Sequence, residues 1–130
     1  MLLSFWRIIK MSNKTLVIGA STNPARYSNM AIKALLKNGY EVIALAKREG
    51  QVESVKIKTD FPEKELVNTV TMYVGEQHQP EYYQPILDLK PERVIFNPGT
   101  ENYEFIELLE SEGIETIEGC TLVMLGTGQY

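Results

Sequence analysis

The sequence predicts an α/β protein with a doubly wound parallel sheet in a single domain. Three observations carry the prediction. Short apolar runs, each the length of a buried strand, alternate with segments whose apolar residues repeat at helical spacing. The chain has 130 residues and 44% of them are hydrophobic, enough for one core without disulfides or metals. The first apolar run passes directly into a loop, Gly19-Ala20-Ser21, that leads to a helix.

The elements follow in order. Thr15-Leu-Val-Ile-Gly19 is a continuous apolar run of the kind a parallel strand buried on both faces requires. Ala20 to Tyr27 is a loop rich in Ser, Asn and Pro, and Ser28 is the expected cap of a helix that carries Met30, Ala31, Ile32, Leu35 and Leu36. Asn38-Gly39 ends that helix, with Gly39 free to take the left-handed position. Glu41 to Ala46 is the second strand, which closes a βαβ unit of about thirty residues. Lys47 to Leu66 is less regular: a loop, a short strand near Val55 to Ile57 and a turn at Asp60-Phe61-Pro62-Glu63. Val70 to Val74 is the third main strand, and the helix after it starts between Pro80 and Pro85, since proline suits a first turn. Arg93 to Phe96 is the fourth. Asn97-Pro98-Gly99 is a turn, and Thr100 is the expected cap of a helix with Phe105, Ile106, Leu108 and Leu109 on one face. Gly113 ends it, Ile114 to Ile117 is the fifth strand, Gly119 to Leu125 a last apolar segment and Gly126 to Tyr130 a tail.

These elements fit a Rossmann-like, three-layer αβα domain with a five-stranded parallel sheet in the order 3-2-1-4-5. Ligands of such sheets sit at the carboxyl ends of the strands, where the order reverses. That point is expected between strands one and four, so that Gly19-Ala20-Ser21 and Asn97-Pro98-Gly99 meet there.

Composition excludes several classes. One cysteine, Cys120, cannot form an internal disulfide and suits a reducing cytoplasm. No apolar run approaches the roughly 18 residues of a membrane span. Residues 1–60 hold ten Lys/Arg against four Asp/Glu, and residues 61–130 hold three against thirteen. This asymmetry suits an anionic partner on the basic side, but a nucleic acid would call for a larger basic patch with exposed aromatics. Residues 1–10 contain Leu2, Leu3, Phe5 and Trp6 before Arg7 and Lys10, the wrong order for a signal peptide. They are expected to be a leader or mobile arm outside the fold, with Met11 as the physiological start and residues 11–130 as the domain.

The segment Gly19-Ala-Ser-Thr-Asn-Pro-Ala-Arg-Tyr-Ser28 is the strongest motif. A glycine lets a phosphate approach the backbone, and the next helix offers free N–H groups and the positive end of its dipole. Ser21, Thr22 and Ser28 add hydroxyls, Arg26 is a candidate phosphate partner, and no acid lies between Gly19 and Asn38. The segment is not Gly-x-Gly-x-x-Gly, because Ser21 and Pro24 stand at the second and third glycine positions. Where an NAD-binding chain carries an acid after strand two, this one has Lys47 and Arg48, which suit a phosphate on the adenosine ribose. Catalytic groups are sparse. His78 is the single histidine, in a polar loop, and Cys120 reads as a packing residue. No Cys/His spacing suits a metal, and Tyr82, Tyr83 and Tyr103 read as helix-face packing.

Residues 14–125 resemble the small coenzyme A-binding proteins, Rossmann domains related to the N-terminal domain of the succinyl-CoA synthetase α subunit. Val17-Ile-Gly-Ala-Ser-Thr-Asn-Pro24 with Ser28, the Gly99 turn, Gly113-Ile114 and Gly119-Cys120 carry the resemblance. It implies that Gly19, Ala20, Ser21, Asn23 and Ser28 line the nucleotide phosphates, with the Asn97-Pro98-Gly99 turn as a further part of the site. The chain departs from the family at Ala46-Lys47-Arg48, where many members have Val-Asn-Pro, and at Asn97-Pro98-Gly99, where they have Gln-x-Gly. The expected function is non-catalytic binding of coenzyme A or an acyl-CoA, with no nucleic-acid or membrane partner. Two alternatives stand beside it: a small NADP- or nucleotide-dependent enzyme or subunit, and an interaction protein that has lost its ligand.

Overall fold

The computed structural model describes residues 13–63 and 66–130. The segment 1–10 and Met11 lie outside them. The elements are β1 (Lys14–Ile18), α1 (Tyr27–Lys37), β2 (Glu41–Leu45), β3 (Gly50–Val52), β4 (Val55–Lys58), β5 (Thr69–Met72), a 3₁₀ turn (Glu76–His78), α2 (Pro80–Leu89), β6 (Arg93–Phe96), α3 (Tyr103–Ser111), β7 (Glu115–Glu118) and α4 (Thr121–Gly126).

The sheet runs β3-β4-β2-β1-β5-β6-β7, and only the β3–β4 pair is antiparallel. Alternation along the central strands assigns side chains to two faces. Leu16, Ile18, Val70, Met72, Val94 and Phe96 pack on one face with Tyr82 and Ile86 of α2 and Phe105 and Leu109 of α3. Val17, Ala44 and Ile57 pack on the other with Ile32 and Leu35 of α1, and Leu125 of α4 joins them. The three-layer, Rossmann-like α/β architecture expected from the sequence is therefore present.

The sheet has seven strands among the described residues, not five. The additional pair is the hairpin β3–β4, which replaces a crossover helix between β2 and β4. Val55 and Ile57 are buried while Lys56 and Lys58 are exposed, so β4 alternates in polarity, unlike the doubly buried strands. The hairpin also changes the neighbour of β1. Counted among the parallel strands, β4 is the third and β5 the fourth, so the order keeps its 3-2-1-4-5 pattern and extends to a sixth strand. The strand beside β1 is Thr69–Met72 rather than Arg93–Phe96, and the switch point lies between β1 and β5.

Local expectations shift as well. Ser28 does not cap α1: it lies inside the first turn, 3% exposed, and the N-cap position is Arg26 with no side-chain bond to the helix. Asn102, not Thr100, caps α3 by accepting from the Phe105 N–H at 3.1 Å, while the Thr100 hydroxyl donates to Asn97 O. Pro85 stands inside α2, beyond the first turn where proline was expected to be confined. The last apolar segment is helical from Thr121, and the tail is docked: Tyr130 shares a hydrogen bond with Thr15 and stacks edge-on against Tyr40. Tyr103 is 70% exposed rather than packed, whereas Tyr82 is buried and Tyr83 stacks on Phe105.

Candidate functional site

The site is built where β1 ends. Gly19 has φ +94°, and a Cβ there would lie 3.0 Å from the Tyr73 carbonyl carbon and oxygen. Both the positive φ and this close approach to the turn after β5 require glycine. The Gly19 and Ala20 N–H groups both donate to Leu45 O, at 2.9 and 3.1 Å, which ties the loop to the end of β2.

The loop then braces itself. Ser21 Oγ accepts from Asn23 N–H at 3.1 Å, Asn23 Oδ1 from Ala25 N–H at 2.9 Å, and Asn23 O from Arg26 N–H at 3.0 Å. Buried Asn29, one turn into α1, donates from Nδ2 to Ser21 O at 2.9 Å. The N–H groups of Ser21, Thr22, Tyr27 and Ser28 have no protein acceptor among the described residues. They stand beside the positive end of the α1 dipole, where an anion is favoured. Thr22, Asn23 and Arg26 are exposed around them, and the Thr22 methyl reaches over Gly50, where a Cβ would come within 2.5 Å of it.

Lys47 and Arg48 follow β2 on the same edge. Arg48 is exposed. Lys47 donates to the Glu81 carboxylate of α2 and stands 5.8 Å from the centre of the Tyr82 ring. The hydrogen bond between them raises the Lys47 ammonium above its ordinary value and lowers the Glu81 carboxyl below its own. The pair rims a hollow of about 170 Å³ whose walls include Leu45, Phe61, Tyr82 and Pro85. That volume suits one end of a ligand rather than a whole cofactor. A larger hollow, about 730 Å³, runs along β2 and β4 past Glu41, Ile43 and Lys56. It reaches the starting end of β2, away from the edge where Rossmann-like sheets hold their ligands.

The turn after β6 is one strand removed from the switch point. Asn97 is 2% exposed and turned inward: Nδ2 donates to Thr71 Oγ1 and Met72 O, and Oδ1 accepts from Thr121 N–H. Pro98 and Gly99 are exposed, and Gly99 N–H donates to its own loop's Glu101. The expected meeting of Gly19-Ala20-Ser21 with Asn97-Pro98-Gly99 is therefore replaced by contact with Tyr73 and Val74, because β5 stands between β1 and β6.

Buried polar groups that the sequence did not single out hold these turns in place. Gln79, with no exposed surface, donates from Nε2 to Val74 O at 2.9 Å and Thr100 O at 2.7 Å, and its Oε1 accepts from Asn102 at 3.0 Å. The Tyr73 hydroxyl is buried near Thr121 and Thr71 with no hydrogen-bond partner among the described residues, and burial pushes its phenol up to about 12. Nothing at Gln79 marks it in a string of polar residues. Glu81 carries only the signal of an acid in a helix first turn. His78 is exposed in the 3₁₀ turn, and Cys120 is half-buried at the N-cap of α4 rather than fully packed. No group of His, Cys, Asp and Glu that could hold a metal occurs among the described residues, and no helix there is long and apolar enough to cross a membrane.

A small Rossmann-like domain with a braced glycine loop at its switch point is the class these features define. A family model described as a CoA binding domain matches residues 13–126, and the chain belongs to that family. A crystal structure of an uncharacterized protein is 45% identical with TM-score 0.88, covering 92% of this chain and 98% of its own. A protein of Thermus thermophilus, 18% identical, superposes with TM-score 0.82 over 98% of both chains. A hypothetical protein of Pyrococcus horikoshii OT3, 21% identical, does so with TM-score 0.82 over 98% of this chain and 91% of its own. The last two likenesses are of fold alone. No curated protein matches the chain.

Proposed function

We propose that this protein binds coenzyme A or an acyl-CoA at the carboxyl edge of β1, β2 and β5 and catalyses no reaction on it. The observation that carries the reading is the set of unpaired N–H groups at Ser21, Thr22, Tyr27 and Ser28, placed at a helix N-terminus with Arg26 beside them and no acid in the loop. Such a cradle suits a pyrophosphate. Family membership supplies the ligand class.

The rest of the ligand follows from what adjoins the cradle. Leu45 O holds the glycine loop, and Leu45 also lines the 170 Å³ hollow, so an adenine placed there leaves its pyrophosphate at the loop. Phe61 and Tyr82 give the hollow flat apolar walls. The ribose phosphate then lies toward Lys47 and Arg48, and the pantetheine arm passes the turn after β5 toward Pro98 and Gly99. The inward-turned Asn97 shapes that turn without touching the ligand. Gly19 and Ala20 act by conformation, because their N–H groups are already used. The single cysteine suits a cytoplasmic setting.

Ligand-induced stabilisation tests the reading. A ligand at a hundred times its dissociation constant adds about 2.7 kcal/mol, and for a domain of this size that raises Tm by roughly 10 °C. Coenzyme A is expected to produce such a shift and NAD little or none. No shift with coenzyme A, acetyl-CoA or NADP would overturn the proposal. Turnover of an acyl-CoA that vanishes in His78→Ala would replace it with an enzymatic one.

A further inference from the structure

We infer that Glu81 is a specificity-determining residue: by engaging Lys47 at the rim of the hollow beyond β2, it sets how strongly the site prefers a ribose-phosphorylated adenine ligand over its dephosphorylated form. The inference rests on the ligand placement proposed above and concerns only the ribose end of that site.

Glu81 belongs to α2, on the far side of the switch point from Lys47, and the two side chains meet only because β2 and the first turn of α2 reach the same edge. Their side chains are 73% and 49% exposed, so water competes with the pair and its dissolution costs little. Tyr82 lies beneath, with Lys47 over its ring. The cation that would answer a ribose phosphate is therefore already held by a carboxylate in the apo protein, whereas neighbouring Arg48 has no acidic partner among the described residues.

The two ligand forms meet this pair differently. A ribose phosphate carries nearly two negative charges, so it competes with Glu81 for Lys47 and is repelled by Glu81 itself. A ribose bearing only hydroxyls has no quarrel with the pair, and its hydroxyls can donate to the Glu81 carboxylate. Glu81 thus lowers affinity for the phosphorylated form and leaves affinity for the other unchanged or slightly raised. Position 81 is exposed in a helix first turn, so the neutral isostere leaves the fold intact.

The test is calorimetric titration of the purified chain and its variants with coenzyme A and dephospho-coenzyme A at low ionic strength. Glu81→Gln is expected to tighten coenzyme A by about three- to tenfold, the scale of one removed charge near a phosphate, and to change dephospho-coenzyme A by less than about twofold. In a Lys47→Met background the same substitution should lose most of its effect if Glu81 acts through Lys47. The gain should also shrink at about 0.5 M salt, where screening is strong. An equal change for both ligands, or none, while the wild-type chain binds both, overturns the role of Glu81 and leaves the proposed function standing. Failure of the wild-type chain to bind either ligand overturns both.

Discussion

Tyr73 combines two properties that conflict in most proteins: its ring packs on the α1 face of the core, and its hydroxyl is buried without a hydrogen-bond partner among the described residues. Its position is set by Gly19, which presses against the Tyr73 carbonyl and leaves the turn little freedom. The energetic consequence is a pH dependence. The phenol rises from 10.0 to about 12, with burial the largest cause. Below pH 10 the group is neutral in both folded and unfolded chains and no stability is lost. Between the unfolded value and the folded one, the unfolded chain sheds the proton while the folded chain keeps it, so stability falls as pH rises. The loss over that window is on the order of 2–3 kcal/mol. Tyr82, Tyr83 and Tyr130 are also shifted upward by burial and act with the same sign. Denaturant unfolding of the wild type and Tyr73→Phe at pH 9 and pH 12 isolates the one group: the phenylalanine variant should lose about 2 kcal/mol less between them. Equal losses would show that Tyr73 ionises freely in the folded chain.

Among the elements, the strands buried on both faces were legible and the ones with a wet face were not. β1, β5 and β6 read as apolar runs because each is covered by helices above and below. β4 carries Lys56 and Lys58 on an exposed face, and β3 spans only Gly50–Val52, so neither shows the apolar run that marks a central strand. Missing that hairpin displaced the switch point by one strand, and with it the partner of the glycine loop. Caps failed for a related reason: Ser28, Thr100 and Asn102 are all competent by residue type, and tertiary packing chooses among them. The glycine loop itself was legible because its demand is local, a positive φ at the end of a buried strand. Gln79 was not, because its role exists only once three turns converge. That convergence gives a test at this scale. Gln79→Leu leaves Val74 O, Thr100 O and one Asn102 donor without their partner in a buried setting. The expected cost is about 2–4 kcal/mol, measured by urea unfolding, with an unchanged midpoint showing that water replaces the side chain.

Across the whole molecule, charge divides along the crevice. The strands and helix of the β1–β4 side carry Lys14, Arg26, Lys33, Lys37, Lys47, Arg48, Lys56 and Lys58, whereas α2, α3 and β7 on the other side are rich in Glu and Asp. The net charge is −4, so the chain as a whole does not attract an anion. An anionic ligand is favoured only locally, on the β1–β2 side of the switch point, and repelled a strand or two away. This arrangement would fix the direction of a bound coenzyme A: adenosine phosphates over the basic side, the uncharged pantetheine arm over the acidic side. Reversing the charge at the ribose end tests the direction. Lys47→Glu with Arg48→Glu is expected to weaken coenzyme A by at least about tenfold at low salt and to leave dephospho-coenzyme A nearly unchanged. Both positions are exposed, so stability should stay within about 0.5 kcal/mol. Titration at two salt concentrations separates this local effect from a general one, because a contact with the ribose phosphate steepens the salt dependence for coenzyme A alone. Equal weakening of both ligands would mean that Lys47 and Arg48 act on the pyrophosphate, and the ligand would have to lie with its adenosine end turned away from β2.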